Sequence, residues 1–322
     1  MGDNTKISWA DATWNMIRAR NLMTGKQGWY CEHMTPACVN CYAERMNMKG
    51  GSTGGTGLPY KPGCRNSVEI FLAEKALLQP LRWREPRKIF VCSMTDLFGS
   101  FVKEEWWEKV FAVAAICPQH RFLILTKRPA RMRERLSYPH TPTRVTSAMY
   151  EVAKVAGREI VPQSHPDLFD AKGYATVPVQ WPLPNVWTGT SATSPDDYHM
   201  IRELMMTPSA LHFLSAGPLL GSMDLEPFLG PGGLKWVIAE GESGPNARAM
   251  HPAWVRRMRD ACAGAGVPFH FKQWGEWSPT GSHKRWTVVG HGSEAHRMVR
   301  LGVRQAGRQL DGREHLEFPE AA

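Results

Sequence analysis

No apolar run in the 322-residue chain is long enough to cross a bilayer, and the longest, such as Phe111 to Cys117, are a fraction of the length required. The opening residues Met1-Gly2-Asp3-Asn4-Thr5-Lys6 lack the apolar segment of a secretory signal. Both absences lead us to expect a cytoplasmic protein without a membrane partner. Cysteine is scarce and odd in number, at seven residues, which argues against a disulfide framework. No second C-x2-C follows the one near the N-terminus, so a closed four-thiolate zinc ribbon is not expected. No repeat of 20–50 residues is present. Acidic residues are also in deficit, 30 against 39 Lys and Arg, for a formal charge of +9. That balance favours an anionic partner, nucleic acid first, although a basic protein with no polyanion has the same composition. The basic residues cluster at Arg82 to Lys88, Lys127 to Arg135 and Arg256 to Arg259, whereas the residues after Trp274 are nearly balanced.

What the chain does have is a compact cysteine segment, Cys31, Cys38 and Cys41, spaced C-x6-C-x2-C. Three thiolates are one fewer than a closed structural metal site uses, and an open coordination position is where metal chemistry occurs. Spacing alone leaves three readings: zinc, with His33 able to join; an iron–sulfur cluster with one iron open; or three unconnected thiols. Cys64, after a glycine-rich loop, is a possible fourth ligand. Cys92, Cys117 and Cys262 fall in apolar strand or helix patterns and read as inert core residues.

Elsewhere the chain alternates strand and helix. Short apolar runs predict strands at Ala12–Asn15, Lys88–Met94, Arg121–Lys127, Val186–Ser191, Leu211–Gly217, Lys235–Glu240 and Pro268–Trp274, the pattern of parallel strands buried on both faces. Helical spacing predicts Glu69–Leu81, Glu104–Cys117, Asp197–Met206 and Ala253–Ala265, the last stopped by Gly264 and Gly266. The expected fold is therefore α/β, a partial or full (β/α) barrel of parallel strands over residues 1–275. It carries a cysteine loop at 28–44, a glycine-rich loop at 50–63, and an insertion at 137–184 with a helix around Ser147–Ala156. Residues 276–322 form a C-terminal extension packed on the barrel. A barrel is preferred to a doubly wound sheet because polar and glycine residues recur at strand C-terminal ends, where barrel enzymes build their sites.

A cysteine loop after the first strand of such a barrel, ending Cys38-Val39-Asn40-Cys41-Tyr42, resembles the radical S-adenosylmethionine (SAM) superfamily. The superfamily's usual spacing is C-x3-C-x2-C; the longer first gap is similar to that of a radical-SAM-like family of phage and bacterial proteins of unknown function. The likeness extends through Ile7-Ser8-Trp9-Ala10-Asp11, Ser93-Met94-Thr95-Asp96-Leu97-Phe98, Leu125-Thr126-Lys127-Arg128-Pro129, Gly241-Glu242-Ser243-Gly244-Pro245 and Phe271-Lys272-Gln273-Trp274-Gly275.

The resemblance implies that Cys31, Cys38 and Cys41 ligate a [4Fe–4S] cluster whose open iron binds SAM. An external donor would supply the electron that cleaves SAM, and the resulting 5′-deoxyadenosyl radical would abstract a substrate hydrogen. It makes Ser93, Thr95, Asp96, Lys127, Arg128, Ser191, Glu242 and Ser243 candidates for holding SAM, and Glu240, Lys272, Gln273 and Trp274 candidates for the substrate. Thr95 or Asp96 could equally be a helix cap, and Trp274 a core residue rather than a base-stacking one. The expected substrate is a nucleic acid base or nucleotide-like molecule, as in phage-type DNA hypermodification, in the host cytoplasm if a phage encodes the protein. The alternatives are a nucleic-acid-binding protein with a structural zinc or iron–sulfur site, and a radical enzyme acting on a small metabolite or peptide. Three positions depart from the family pattern: Gly217 stands where a glutamate is usual, Glu240-Gly241 where two glycines are, and Thr193 where an acidic residue is. Glu240 is the residue expected to compensate.

Overall fold

The computed structural model describes residues 5–50, 54–156 and 177–320. Seven strands form one parallel sheet: β1 (Ala12–Trp14), β2 (Lys88–Val91), β3 (Arg121–Thr126), β4 (Val186–Ser191), β5 (Leu211–Ala216), β6 (Trp236–Glu240) and β7 (Phe269–Gln273). They lie side by side in chain order, with β1 and β7 at the two edges. This is the order of an open (β/α) half-barrel; a doubly wound sheet would reverse its order at a switch point. All seven strands sit within the segments expected from the sequence. Their residues are buried almost throughout, as strands covered on both faces must be.

The chain divides into two compact units, Met1–Glu32, Ala43–Thr188 and Met206–Ala210 in the first, His33–Tyr42, Gly189–Met205 and Leu211–Ala322 in the second. In the first unit, helix α1 (Tyr42–Lys49) follows the cysteine segment, and α2 (Glu104–Ile116) and α3 (Pro129–Leu136) follow β2 and β3. Helix α4 (Thr141–Ala156) packs along α2. It starts six residues earlier than the pattern around Ser147 suggested, and residues 157–176 of the expected insertion lie outside the described residues.

One predicted helix is wrong. Glu69–Leu81 divides into a strand, Val68–Leu72, a single turn, Glu74–Leu77, and a 3-10 turn, Pro80–Arg82. The run Val68-Glu69-Ile70-Phe71-Leu72 is β-branched and aromatic, and it finds an antiparallel partner in Ile17–Asn21. Partner availability overrode a helical reading that rested on spacing alone.

In the second unit, helix α5 (Tyr198–Met205) follows β4 and α6 (Pro252–Gly264) follows β6. The C-terminal chain covers the edge of β7: Phe271 N donates to His315 O at 2.8 Å, and Phe269 N to the Glu317 carboxylate at 2.7 Å. An exposed edge invites pairing with other chains, so this cover has a clear physical use. The remainder of the extension forms a three-stranded sheet of Trp277–Ser278, Trp286–Val289 and His296–Arg300, and a hairpin at 309–314. No helix among the described residues is long and apolar enough to cross a membrane.

Candidate functional site

Cys31, Cys38 and Cys41 are half-buried and in no disulfide, as is Cys64 in the 3-10 turn Pro62–Ser67. Cys92, Cys117 and Cys262 are buried, and burial pushes the thiols of Cys117 and Cys262 up to about 12, as inert core cysteines require. Cys31 belongs to the first unit and Cys38 and Cys41 to the second. Among the described residues no three His, Cys, Asp or Glu side chains are grouped to hold a metal ion. The three-thiolate set therefore rests on its donor chemistry rather than on a converged geometry. That chemistry suits a thiolate-bound group. The backbone N–H of Met34 points at Cys38 Sγ at 3.5 Å, the kind of N–H···S contact that tunes sulfur ligands.

In the first unit, β1 and β2 end side by side. Asn15 holds the turn after β2, bonding Ser93 Oγ and accepting from Met94 N at 3.0 Å. The turn also uses a left-handed backbone at Cys92 (φ 56°), unusual for a residue with a side chain. It delivers Thr95, whose hydroxyl donates to the carbonyl of Tyr30, the residue before Cys31. It also delivers Asp96, 5% exposed, whose Oδ1 accepts from Phe98 N and Thr126 Oγ1 and whose Oδ2 accepts from Lys127 N and Arg128 Nη1, at 2.7–3.0 Å. All of its lone-pair directions are thus engaged by protein. Arg128, itself buried, spans from Asp96 to the Glu32 carbonyl, reached by Nη2 at 3.1 Å. Burial works against the guanidinium's charge, but Asp96 and Cys31 more than offset it and hold its pKa above the ordinary value. A cation beside a thiol favours the thiolate, the form that binds metal. Thr95 therefore holds the carbonyl before Cys31, and Arg128, braced by Asp96, holds the one after it. The Lys127 ammonium, by contrast, has no ion pair or hydrogen bond among the described residues.

The second unit repeats the device with different residues. Glu242, after β6, accepts from Arg248 N (2.7 Å), Nε (2.9 Å) and Nη2 (2.5 Å), and from Asn40 Nδ2 (3.0 Å). Arg248 Nη1 continues to the Pro36 carbonyl at 3.1 Å, and Asn40 also donates to Asn246 O. The pair thus grips residues 36–40, the stretch that carries Cys38 and leads into Cys41. Burial opposes Glu242's charge, yet the bonds from Arg248 and Asn40 hold its carboxyl below the ordinary value. A carboxyl depressed in the folded state adds stability that is full above its unfolded pKa and is lost as pH falls through the folded one. Arg248→Ala is therefore expected to flatten the loss of stability from about pH 6 downward, measured by urea denaturation across pH. An unchanged acid limb would show that the pair contributes nothing.

Gly217 and Glu240 account for each other. A Cβ built on Gly217 would lie 2.6 Å from Glu240 Oε1 and 2.7 Å from Cγ, so the Glu240 side chain occupies the space a residue at 217 would need. Lys272 Nζ meets Glu240 Oε2 at 2.5 Å and Gln273 Nε2 lies 3.5 Å from the same oxygen. A carboxylate from β6 thus occupies the room left by a glycine at 217. Gly217→Glu alone is expected to cost about 1–3 kcal/mol by overpacking two carboxylates. Adding Glu240→Gly should recover most of it, read as denaturation midpoints. Equal midpoints for the single and double variants would rule out that overpacking.

Gly241 is required for a different reason: a Cβ there would meet the Trp274 carbonyl oxygen at 2.0 Å. Trp274 is 3% exposed, with its indole N–H on Gln309 O at 2.8 Å and its ring edge-on to Phe271, so it is a core residue and offers no face to a base. Ser191 Oγ makes only a 3.4 Å bond to Gly217 O, and Ser243 is half-buried in the loop after β6. The Thr193 hydroxyl and backbone N–H both donate to Asp197, where it closes the start of the turn before α5. The basic cluster at Arg256–Arg259 is committed internally. Arg256 and Arg259 converge on Asp311, and these bonds, from Arg256 first, hold its carboxyl at about 2.

Three residues that hold the segments around the cysteines were not singled out from the sequence: Arg248, Asn40 and Asn47. Asn47, fully buried on α1, accepts from Trp29 N and Thr56 N and donates to Thr56 Oγ1 and Leu58 O, tying the glycine-rich loop to the start of the cysteine segment. A polar residue in a helix with no solvent-facing role was the available signal.

With this geometry in place, comparison with known proteins defines the class. The chain belongs to the family described as "Protein of unknown function (DUF5131)", whose model matches residues 4–319. No curated protein and no solved structure matches it.

Proposed function

We propose that the protein is a radical SAM enzyme in which Cys31, Cys38 and Cys41 hold a [4Fe–4S] cluster. Its substrate is a nucleic acid base or nucleotide-like molecule that it modifies, isomerises or repairs, with phage-type DNA hypermodification favoured. One observation carries the reading. Backbone directly after Cys31, and again between Pro36 and Asn40, is gripped by a carboxylate–guanidinium pair with a buried carboxylate. Burying charge costs several kcal/mol per ion before pairing offsets it, and a segment that only connected elements would have no use for such pairs. When bound, the cluster and SAM supply one-electron cleavage of SAM and hydrogen abstraction, with the electron from an external donor.

The chain's own residues divide the remaining work. Arg128 places its guanidinium beside Cys31, and Met34 points its N–H at Cys38 Sγ. Asp96 and Glu242, expected from the sequence as SAM ligands, act here as positioning residues, because their oxygens are taken by the chain. Lys127 suits the carboxylate of SAM or a substrate phosphate. Ser93 and Thr95 shape the strand end, Ser191 and Ser243 offer hydroxyls, and Glu240, Lys272 and Gln273 offer a polar edge to the substrate. Anaerobic reconstitution tests the reading. About four iron and four sulfide per chain are expected, with an electron paramagnetic resonance signal that changes when SAM is added. Stoichiometric zinc, with no iron retained, would overturn it in favour of a structural metal.

A further inference from the structure

The C-terminal sheet carries a surface that the proposed chemistry does not use. Trp286, 56% exposed, is the only tryptophan among the described residues whose ring is mainly in solvent. It starts the edge strand Trp286–Val289, and Val288, two residues on and 51% exposed, shares its face. Val288 pairs directly with Arg297 on the neighbouring strand, and the Arg297 guanidinium lies 5.0 Å from the Trp286 ring centroid. Lys284 and Arg285 precede the tryptophan, both exposed.

The near balance of charge after Trp274 conceals a segregation. Residues 283–300 carry four Lys and Arg against one carboxylate, Glu294. The other five acids of the extension lie outside this stretch: Glu276 beside Arg300, Asp311 under Arg256 and Arg259, Glu314 on Arg308, Glu317 on Phe269 N, and Glu320. Lys284, Arg285 and Arg297 have no carboxylate partner among the described residues. An exposed indole with one guanidinium on its ring and two further exposed cations directly before it in the chain matches what single-stranded nucleic acid offers: an unstacked base for the aromatic face and phosphates for the charges.

We infer that Trp286, Lys284, Arg285 and Arg297 form a binding surface for a single-stranded nucleic acid segment, with Trp286 stacking on a base. The surface is independent of the cysteine segment and depends on the proposed function only in sharing its class of partner.

Fluorescence anisotropy of labelled single-stranded DNA, single-stranded RNA of the same sequence, and duplex DNA, with the full chain and no SAM, tests it. Single strands should bind more tightly than duplex, and the DNA and RNA arms identify which is preferred. Trp286→Ala should weaken single-strand binding about tenfold or more, and Trp286→Phe should restore much of it. Changing Lys284, Arg285 and Arg297 together to Gln should lower the slope of log affinity against log salt by about two. Circular dichroism of each variant separates misfolding from lost contact. Wild-type affinity in both variants would overturn the inference. So would concentration-dependent self-association, abolished by Trp286→Ala, in a protein that binds no oligonucleotide. Because the assay contains no SAM, a failure of SAM cleavage leaves it unaffected, and a failure here leaves the cysteine reading standing.

Discussion

Cys38→Ala is expected to abolish iron retention and SAM cleavage together, the largest single effect anywhere in the chain. Cys38 lies within the gripped stretch, its sulfur receiving the Met34 N–H and its flanks held by Arg248 and Asn40. Two thiolates cannot hold a cubane with one open iron in the proposed arrangement, so loss should be complete rather than graded. Cys262→Ala is the contrasting control. Its thiol is buried and pushed up to about 12, so its removal should cost stability through a small cavity and leave iron content unchanged. Iron and sulfide analysis of the two reconstituted variants checks both expectations. Iron retained in Cys38→Ala would remove that residue from the ligand set.

Arg128→Ala should have the largest effect on stability, about 3–5 kcal/mol, because it leaves the buried Asp96 carboxylate without its compensating charge. Asp96 would keep its bonds from Phe98 N, Thr126 Oγ1 and Lys127 N but hold an uncompensated charge in a site closed to water. The Glu32 carbonyl would lose its donor as well, loosening the backbone after Cys31. Arg128→Lys keeps the charge but not the fork that reaches Asp96 and Glu32 at once, so only partial rescue is expected. Adding Asp96→Asn to Arg128→Ala should cost less than the sum of the two single changes, with a coupling of about 1–3 kcal/mol. Urea denaturation of the four proteins gives the cycle. Additive losses would mean that the two side chains do not stabilise each other.

Much of the sheet was legible from sequence because its strands are short, apolar on both faces and bounded by glycine and polar residues; β4 to β7 fall where those runs predict. The segment after Asn66 was misread because its fate depended on a partner strand 50 residues earlier, which local spacing does not reveal. The carboxylates of the site, Asp96 and Glu242, were visible as acids at strand ends. What they hold was not. Asp96 pairs with a residue 32 positions away, and Glu242 pairs with Arg248 across a loop with no periodic pattern. An acid poised for a ligand and an acid consumed by an arginine look alike until the fold brings the arginine in. Gly217 shows the opposite case: the room left by an apparent loss in the sequence is occupied by Glu240.

Formation of 5′-deoxyadenosine by the anaerobically reconstituted protein, with SAM and a strong reductant, measures the central claim most directly. The wild-type chain should produce it, a variant with Cys31, Cys38 and Cys41 all changed to Ala should not, and single-stranded nucleic acid should raise the yield. A wild-type protein that binds its metal stoichiometrically and leaves SAM intact under those conditions would not be a radical SAM enzyme.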